Sequence, residues 1–229
     1  MLEIRGIGIS GKKGTGTAYK FEKARNKYHK LKKIEIDDEE KRYEEIIRIA
    51  KEQINQLYQE ALKDDKDSAL IFQSHILLAD DAEIKKYVKN LLKQGYDLLS
   101  ALIRTKEDMK AHFLNMKSEI FRSKVCDIDD TFDRLILIEE GKSNDYKFPN
   151  KPFILICEEI IPSIIYQVPQ EFLKGIIVKF GSNCSHGAIL ARTRNIPVII
   201  RLKNRIENIK SNDKILMNGE SGTIFIFDE

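Results

Sequence analysis

Phe180-Gly181-Ser182-Asn183-Cys184-Ser185-His186-Gly187-Ala188-Ile189-Leu190-Ala191-Arg192 is the stretch that decides how this chain is read. An apolar, β-branched run from Gly175 to Phe180 ends here in small and polar residues, and an apolar helix begins directly afterwards. His186 therefore stands where a loop gives way to a helix. At such a point, unpaired backbone N–H groups and the positive end of the helix dipole favour a negatively charged adduct. A phosphoryl group is the obvious candidate. Imidazoles, with an ordinary pKa of about 6.5, are mostly neutral at pH 7; they can attack phosphorus without a dedicated base and leave readily once phosphorylated. Ser185, Gly187 and Ala188 are small enough to admit an in-line partner. From these residues alone two readings stay open, a phosphoryl-bearing histidine and a loop histidine beside a helix cap.

Outward from this stretch the chain is α/β. Phe153 to Cys157, Gly175 to Phe180, Pro197 to Arg201, Lys214 to Met217 and Thr223 to Phe227 read as strands, with helical patches at Pro162 to Gln167 and Gly187 to Asn195. Asn218-Gly219-Glu220-Ser221-Gly222 has the residues a short hairpin needs. All five prolines lie after residue 148, whereas residues 36 to 140 hold no proline and the single glycine Gly95. That middle is helical. Between Glu39 and Leu62, Tyr43, Ile46, Ile47, Ala50, Ile54, Leu57, Tyr58 and Ala61 fall on one face at spacings of three and four. Asp67-Ser68 can cap a second helix running to Ala79, and Asp80-Asp81 a third that stops at Gly95. A fourth runs from about Asp97 through Leu98, Leu102, Met109, Phe113, Met116 and Ile120, and a fifth from Asp127 to Glu139. Short connections between them make an antiparallel bundle. The glycine-rich amino-terminal segment is too short to fold alone and joins the sheet most simply, which makes the bundle an insertion. The expected domains are residues 1–21 with 146–229, and residues 33–141.

The 229 residues, 42% of them hydrophobic, can bury a core without covalent staples. Cys126, Cys157 and Cys184 lie far apart, which fits neither a disulfide framework nor a metal knuckle and suits a reducing cytosol. No run approaches the ~20 apolar residues of a bilayer span, and the amino terminus lacks a signal-peptide core. A cytoplasmic protein without a membrane partner is expected. The 39 Lys+Arg and 36 Asp+Glu are interspersed, not gathered into a basic stripe, so no nucleic-acid partner is expected either. Gly6 to Gly11 satisfies G-x-G-x-x-G and Gly6 to Lys12 satisfies G-x-x-x-x-G-K. Both fail on context: Lys13 stands where a magnesium-binding hydroxyl belongs, and no amphipathic helix follows. His29 and His112 sit among polar neighbours and read as surface residues, while His75 reads as a histidine packed or half-exposed in a helix.

Ser185-His186-Gly187-Ala188-Ile189-Leu190-Ala191-Arg192, followed by Ile196-Pro197-Val198, resembles the phosphohistidine signature of the phosphoenolpyruvate-utilising enzymes, G-G-x-T-S-H-x-x-I-x-A-R and a following strand. Within that group the inserted bundle resembles the amino-terminal half of the Enzyme I family of the bacterial sugar phosphotransferase system. Ile71-Phe72-Gln73-Ser74-His75 through Glu83 is similar to its I-F-x-x-H-x-x-L-L-x-D-x-E stretch, Asp127-Ile128-Asp129-Asp130 through Leu135 to its D-V-R-D-x-x-x-R-L helix, and Met217 through Ile224 to its closing hairpin.

The resemblance implies an α/β phosphohistidine (swivelling) domain with an inserted antiparallel α-helical bundle, α+β overall. It implies that His186 carries the phosphoryl group, supported by Cys184, Ser185 and Gly187. The donor would be a carboxy-terminal barrel that binds phosphoenolpyruvate and magnesium, and the acceptor a histidine of the small carrier protein HPr. Leu77, Leu78, Asp81, Glu83 and Ile84 would meet HPr on the bundle, apolar residues making contact and carboxylates facing its basic rim; bundle core is the competing reading of the leucines. No cofactor or metal is expected in this chain, since magnesium belongs to the barrel. The chain is expected to be a piece or short form that cannot turn over phosphoenolpyruvate alone. It departs from the pattern at Cys184, where threonine is usual, and at Ser182, Gly187 and Asp129, the last in place of arginine. The changes at Cys184, Ser182 and Gly187 keep alive a second function, a regulatory module that binds a partner without carrying phosphate. A thiol at Cys184 reads as either reactive or simply packed.

Overall fold

A computed structural model describes residues 1–21, 36–118, 124–142, 146–183 and 185–227. The chain divides into two compact units, Met1–Lys23 with Tyr146–Glu229, and Ala24–Asp145. Both termini of the chain thus contribute to one unit and the middle forms the other.

The first unit is built on a mixed sheet. Its strands are β1 (Leu2–Arg5), β2 (Ile7–Gly8), β3 (Lys13–Lys20), β4 (Phe153–Cys157), β5 (Leu173–Val178), β6 (Val198–Ile200), β7 (Lys214–Asn218) and β8 (Thr223–Phe227), in the order β1-β8-β7-β3-β4-β5-β6-β2. β3, β4, β5 and β6 run parallel, and antiparallel neighbours flank them. A parallel pair needs a crossover. α6 (Pro162–Gln167) supplies it between β4 and β5, and α7 (His186–Thr193) between β5 and β6. β1 and β2 occupy opposite edges of the sheet although only Gly6 separates them, so the sheet curls until its edges meet. Gly6 N donates to Gly222 O at 2.9 Å, which prolongs the β1–β8 ladder up to the point where the chain crosses to β6. Ile4, Ile154, Ile156, Ile177, Ile199, Ile215, Met217, Ile224 and Ile226 fill the interior. β4 is buried along its whole length, as a central parallel strand covered on both faces must be.

The second unit is the helical bundle: α1 (Ile36–Asp64), α2 (Lys66–Ala79), α3 (Ala82–Lys93), α4 (Leu98–Leu114) and α5 (Val125–Glu139). The apolar stripe of α1 is the buried one, with Tyr43, Ile46, Ile47, Ala50, Ile54, Leu57 and Ala61 all inside. Each large member contributes about 1.5–3 kcal/mol by leaving water. α2 begins earlier than the Asp67-Ser68 cap predicts. Asp65 takes the extended conformation and its carboxylate accepts from Ser68 N at 2.8 Å and Ser68 Oγ at 2.6 Å, so the cap is Asp65 and Asp67 lies in the first turn. α3 is capped by Asp81, as read. α4 stops at Leu114, with Met116 N closing on Phe113 O at 3.2 Å; Met116 is outside the helix and Ile120 outside the described residues. His112 is exposed, and His29 lies outside the described residues. Among the described residues no helix is long and apolar enough to cross a membrane.

Candidate functional site

The carboxyl ends of parallel strands are where α/β sheets hold their ligands, because the loops there are free of packing duty and the following helices point their N-termini inward. β5 ends at Val178, and the loop beyond it delivers His186 as the first residue of α7. Ser185 is the cap. Its backbone is extended, its Oγ accepts from Ala188 N at 3.4 Å and donates to Ser182 O at 3.0 Å, and Ser185 N also donates to Ser182 O at 3.2 Å. The loop is therefore tied to the helix start at the residue before the histidine. His186 itself is half-buried, with Gly187 and Ala188 buried behind it. Cys184, expected beside the phosphate, lies outside the described residues.

Gly187 has a reason beyond openness. A Cβ built there would lie 2.3 Å from the carbonyl oxygen of Ile160 and 2.7 Å from its Cβ. Only glycine lets the first turn of α7 sit this close to the loop after β4. Gly181 adopts φ +107, a conformation that L side chains rarely take, at the point where the chain turns from β5 into the loop. Two arginines grip that loop: Arg192 Nη1 donates to Asn183 O at 2.9 Å, and Arg201 Nε to Gly181 O at 3.2 Å. Arg192 belongs to the quoted signature, but sequence reasoning missed Arg201, which reads there as the last residue of a strand.

The residues assigned to a partner surface lie in the bundle, at the junction of α2 and α3. Leu77 is 67% exposed. Leu78 and Ile84 are partly buried against the bundle core, which for Leu78 is the competing reading of the leucines. Asp81 and Glu83 are exposed, although the Asp81 carboxylate is committed to the cap, accepting from Glu83 N at 2.9 Å and Ile84 N at 3.0 Å. Hydrogen bonds from Lys51 and Lys85 hold the Asp80 carboxyl below the usual carboxylate range. Leu70, also exposed, lies two turns before Leu77 on the same face of α2.

His75 is 2% exposed in the bundle interior. Its Nε2 is 3.4 Å from Asp127 Oδ1 and its Nδ1 3.9 Å from Asp130 Oδ2, both on α5. Arg134, a turn further along, donates to Gln53 Oε1 of α1 at 3.0 Å. The two quoted bundle motifs thus meet at His75, and Arg134 ties the same helix, α5, to α1. Asp129, the charge departure in α5, faces Lys106 at 3.0 Å and Lys110 at 2.8 Å on α4. The bundle absorbs it internally.

Comparison with known proteins identifies the family and the fold. The family model "PEP-utilising enzyme, N-terminal" matches residues 5–124, more than half of the chain, and "PEP-utilising enzyme, mobile domain" matches residues 149–222. The phosphoenolpyruvate-protein phosphotransferase of Bacillus subtilis is 28% identical over 99% of this chain, and that of Listeria monocytogenes 26% identical over 98%. The chain spans 40% of the length of each. Among solved structures, the solution structure of an Enzyme I protein covers 98% of this chain and is itself covered to 93%, with a TM-score of 0.70 and 24% identity. The "N-terminal domain of Enzyme 1 - Nitrogen" superposes with a TM-score of 0.63 at 16% identity, covering 97% of this chain and 92% of that one, so the fold is shared. The chain belongs to the PEP-utilising enzymes and carries their N-terminal and mobile-domain segments.

Proposed function

We propose that this chain is the phosphoryl-carrying half of a phosphoenolpyruvate-protein phosphotransferase, a cytoplasmic component of a sugar phosphotransferase system. His186 receives the phosphoryl group from phosphoenolpyruvate by way of a carboxy-terminal barrel that would also bring magnesium, and passes it to a histidine of HPr. The observation that carries the reading is the placement of His186: half-buried, first residue of a helix, beyond the carboxyl end of a central parallel strand. The names of the relatives support the transferase class.

The exchange with HPr balances simply. A P–N bond of the donor phosphohistidine breaks as a P–N bond to His186 forms, and the acceptor ring loses the proton of its distal nitrogen as the donor ring gains one. The protein's contribution is position and charge, which is most of what phosphoryl transfer asks of a catalyst. The first N–H groups of α7 favour the incoming charge. Ser185 caps the helix that begins with the histidine, and Gly187 lets that helix start sit close to Ile160. Leu77, Leu78 and Ile84 would give HPr an apolar contact and Asp81 and Glu83 a negative rim.

Phosphorylated HPr should label the chain with an acid-labile, base-stable phosphate, and His186→Ala should abolish the label. Label that persists in that variant would remove His186 from the mechanism; calorimetric binding of HPr with no phosphohistidine by mass spectrometry would favour a binding module instead.

A further inference from the structure

Just past β6 the chain adopts an expensive conformation. Arg201 and Lys203 both have left-handed φ, 61° and 54°, and Leu202 between them is right-handed at φ −65°, ψ −27°. The Cβ of an L residue disfavours left-handed backbone, and two such residues within three concentrate strain in one turn. The turn closes over the end of β5. Leu202 N donates to Val178 O at 3.2 Å, Lys203 N to Lys179 O at 2.9 Å and Arg201 N to Phe180 O at 3.3 Å. The Arg201 side chain then extends the series through its Nε–Gly181 O hydrogen bond, so four successive carbonyls are held by residues 201 to 203. From Gly181 the next residue is Ser182, whose carbonyl receives both the N–H and the hydroxyl of Ser185, the cap of the His186 helix.

We propose that Arg201 is a positioning residue for phosphoryl transfer at His186, acting through Gly181, Ser182 and Ser185. The inference rests on the carrier reading of His186. Glycine would satisfy the backbone of position 201 better than any other residue, so the arginine there is explained by its side chain. A guanidinium suits the task because Nε is a donor fixed in a plane, whereas an ammonium on a flexible stem leaves the carbonyl free to turn. The hydrogen bond is exposed, so it adds little to stability, but it sets the loop that delivers the histidine.

The test compares wild type, Arg201→Gly and Arg201→Lys in rapid-quench transfer from phosphorylated HPr, together with thermal unfolding. In Arg201→Gly the lost hydrogen bond and the relieved backbone offset each other, and Tm stays within about 4 °C of wild type. The transfer rate at saturating donor falls about tenfold in both variants, the loss expected for one charge-assisted positioning contact, while the donor concentration for half-maximal rate is unchanged. Wild-type rates in both variants would overturn the inference and leave the carrier reading intact. So would a parallel fall of Tm and rate in Arg201→Gly, which marks a contact that only holds the fold. A wild-type chain that takes no label from phosphorylated HPr would refute the carrier reading, and this inference with it.

Discussion

Gly187→Ala is the sharpest test of how the His186 helix is seated. In an isolated helix the change would help, because alanine is better than glycine by about 0.8–1 kcal/mol in a helix interior. Here the added Cβ meets the Ile160 carbonyl oxygen at 2.3 Å and the Ile160 Cβ and Cγ2 at 2.7 Å. The nearest obstacle is backbone, and Ile160 is itself buried in the loop between β4 and α6, so no flexible side-chain end can swing aside. Separation to ordinary contact requires the start of α7 to move outward by about an ångström, with the overpacking cost of about 1–3 kcal/mol. The clash outweighs the propensity gain. At roughly 4 °C or more per kcal/mol for a unit of this size, the α/β unit should melt several degrees lower. Calorimetric unfolding of the full chain, with and without the substitution, measures it. A variant as stable as wild type, or more stable, would mean that the helix start withdraws from Ile160 freely and that glycine has no packing role there.

Two further outcomes concern the bundle. Burial, with Glu39 and Asp97 nearby and against the pull of Arg42, raises the Glu139 carboxyl to about 7. Between the ordinary value near 4.5 and 7 the folded chain therefore keeps a proton that the unfolded chain has lost, so this group's stabilising contribution is complete below about 4.5 and fades as pH rises through 7. Glu139→Gln should remove that slope and gain stability relative to wild type from pH 5 to pH 8; parallel Tm profiles would refute it. Leu77→Ala should leave stability within about 0.5 kcal/mol because the side chain is exposed, yet weaken HPr binding about tenfold by calorimetry if α2 is the docking face. Unchanged affinity would move the docking face elsewhere.

The parts of the fold legible in the sequence are those whose signal is periodic. The α1 stripe recurs at 3.6 residues and is buried almost residue for residue, and the strands Phe153–Cys157 and Thr223–Phe227 fall where β-branched runs end in turn residues. Boundaries failed where several residues could serve equally. Asp65 and Asp67 lie two residues apart, and it is the extended backbone of Asp65 and its hydrogen bonds to Ser68 that make it the cap. The strand read as Pro197 to Arg201 ends at Ile200, because the turn after it needs left-handed residues and holds an arginine and a lysine instead of the glycine or asparagine that would announce it. The 3-10 turn Lys203–Asn208 that follows was likewise without signal.

Two histidines in this chain attract attention by motif, and their surroundings separate them physically. A buried imidazole must find partners for its ring nitrogens or forfeit their hydration. His75 faces Asp127 and Asp130, more than fifty residues away, so its likeness to a family motif reflects a junction that ties α2 to α5. Nothing in the spacing of 75, 127 and 130 reveals that meeting, since it depends on how the helices pack. His186 is only half-buried, and its cap, its glycine neighbour and its loop all lie within a few residues of it, which is why the local sequence could announce it. What stayed hidden was the support from afar: Ile160 against Gly187, and Arg201 upon Gly181. A reactive group is legible when its chemistry is local, whereas the precision with which it is held comes from contacts that only the fold creates.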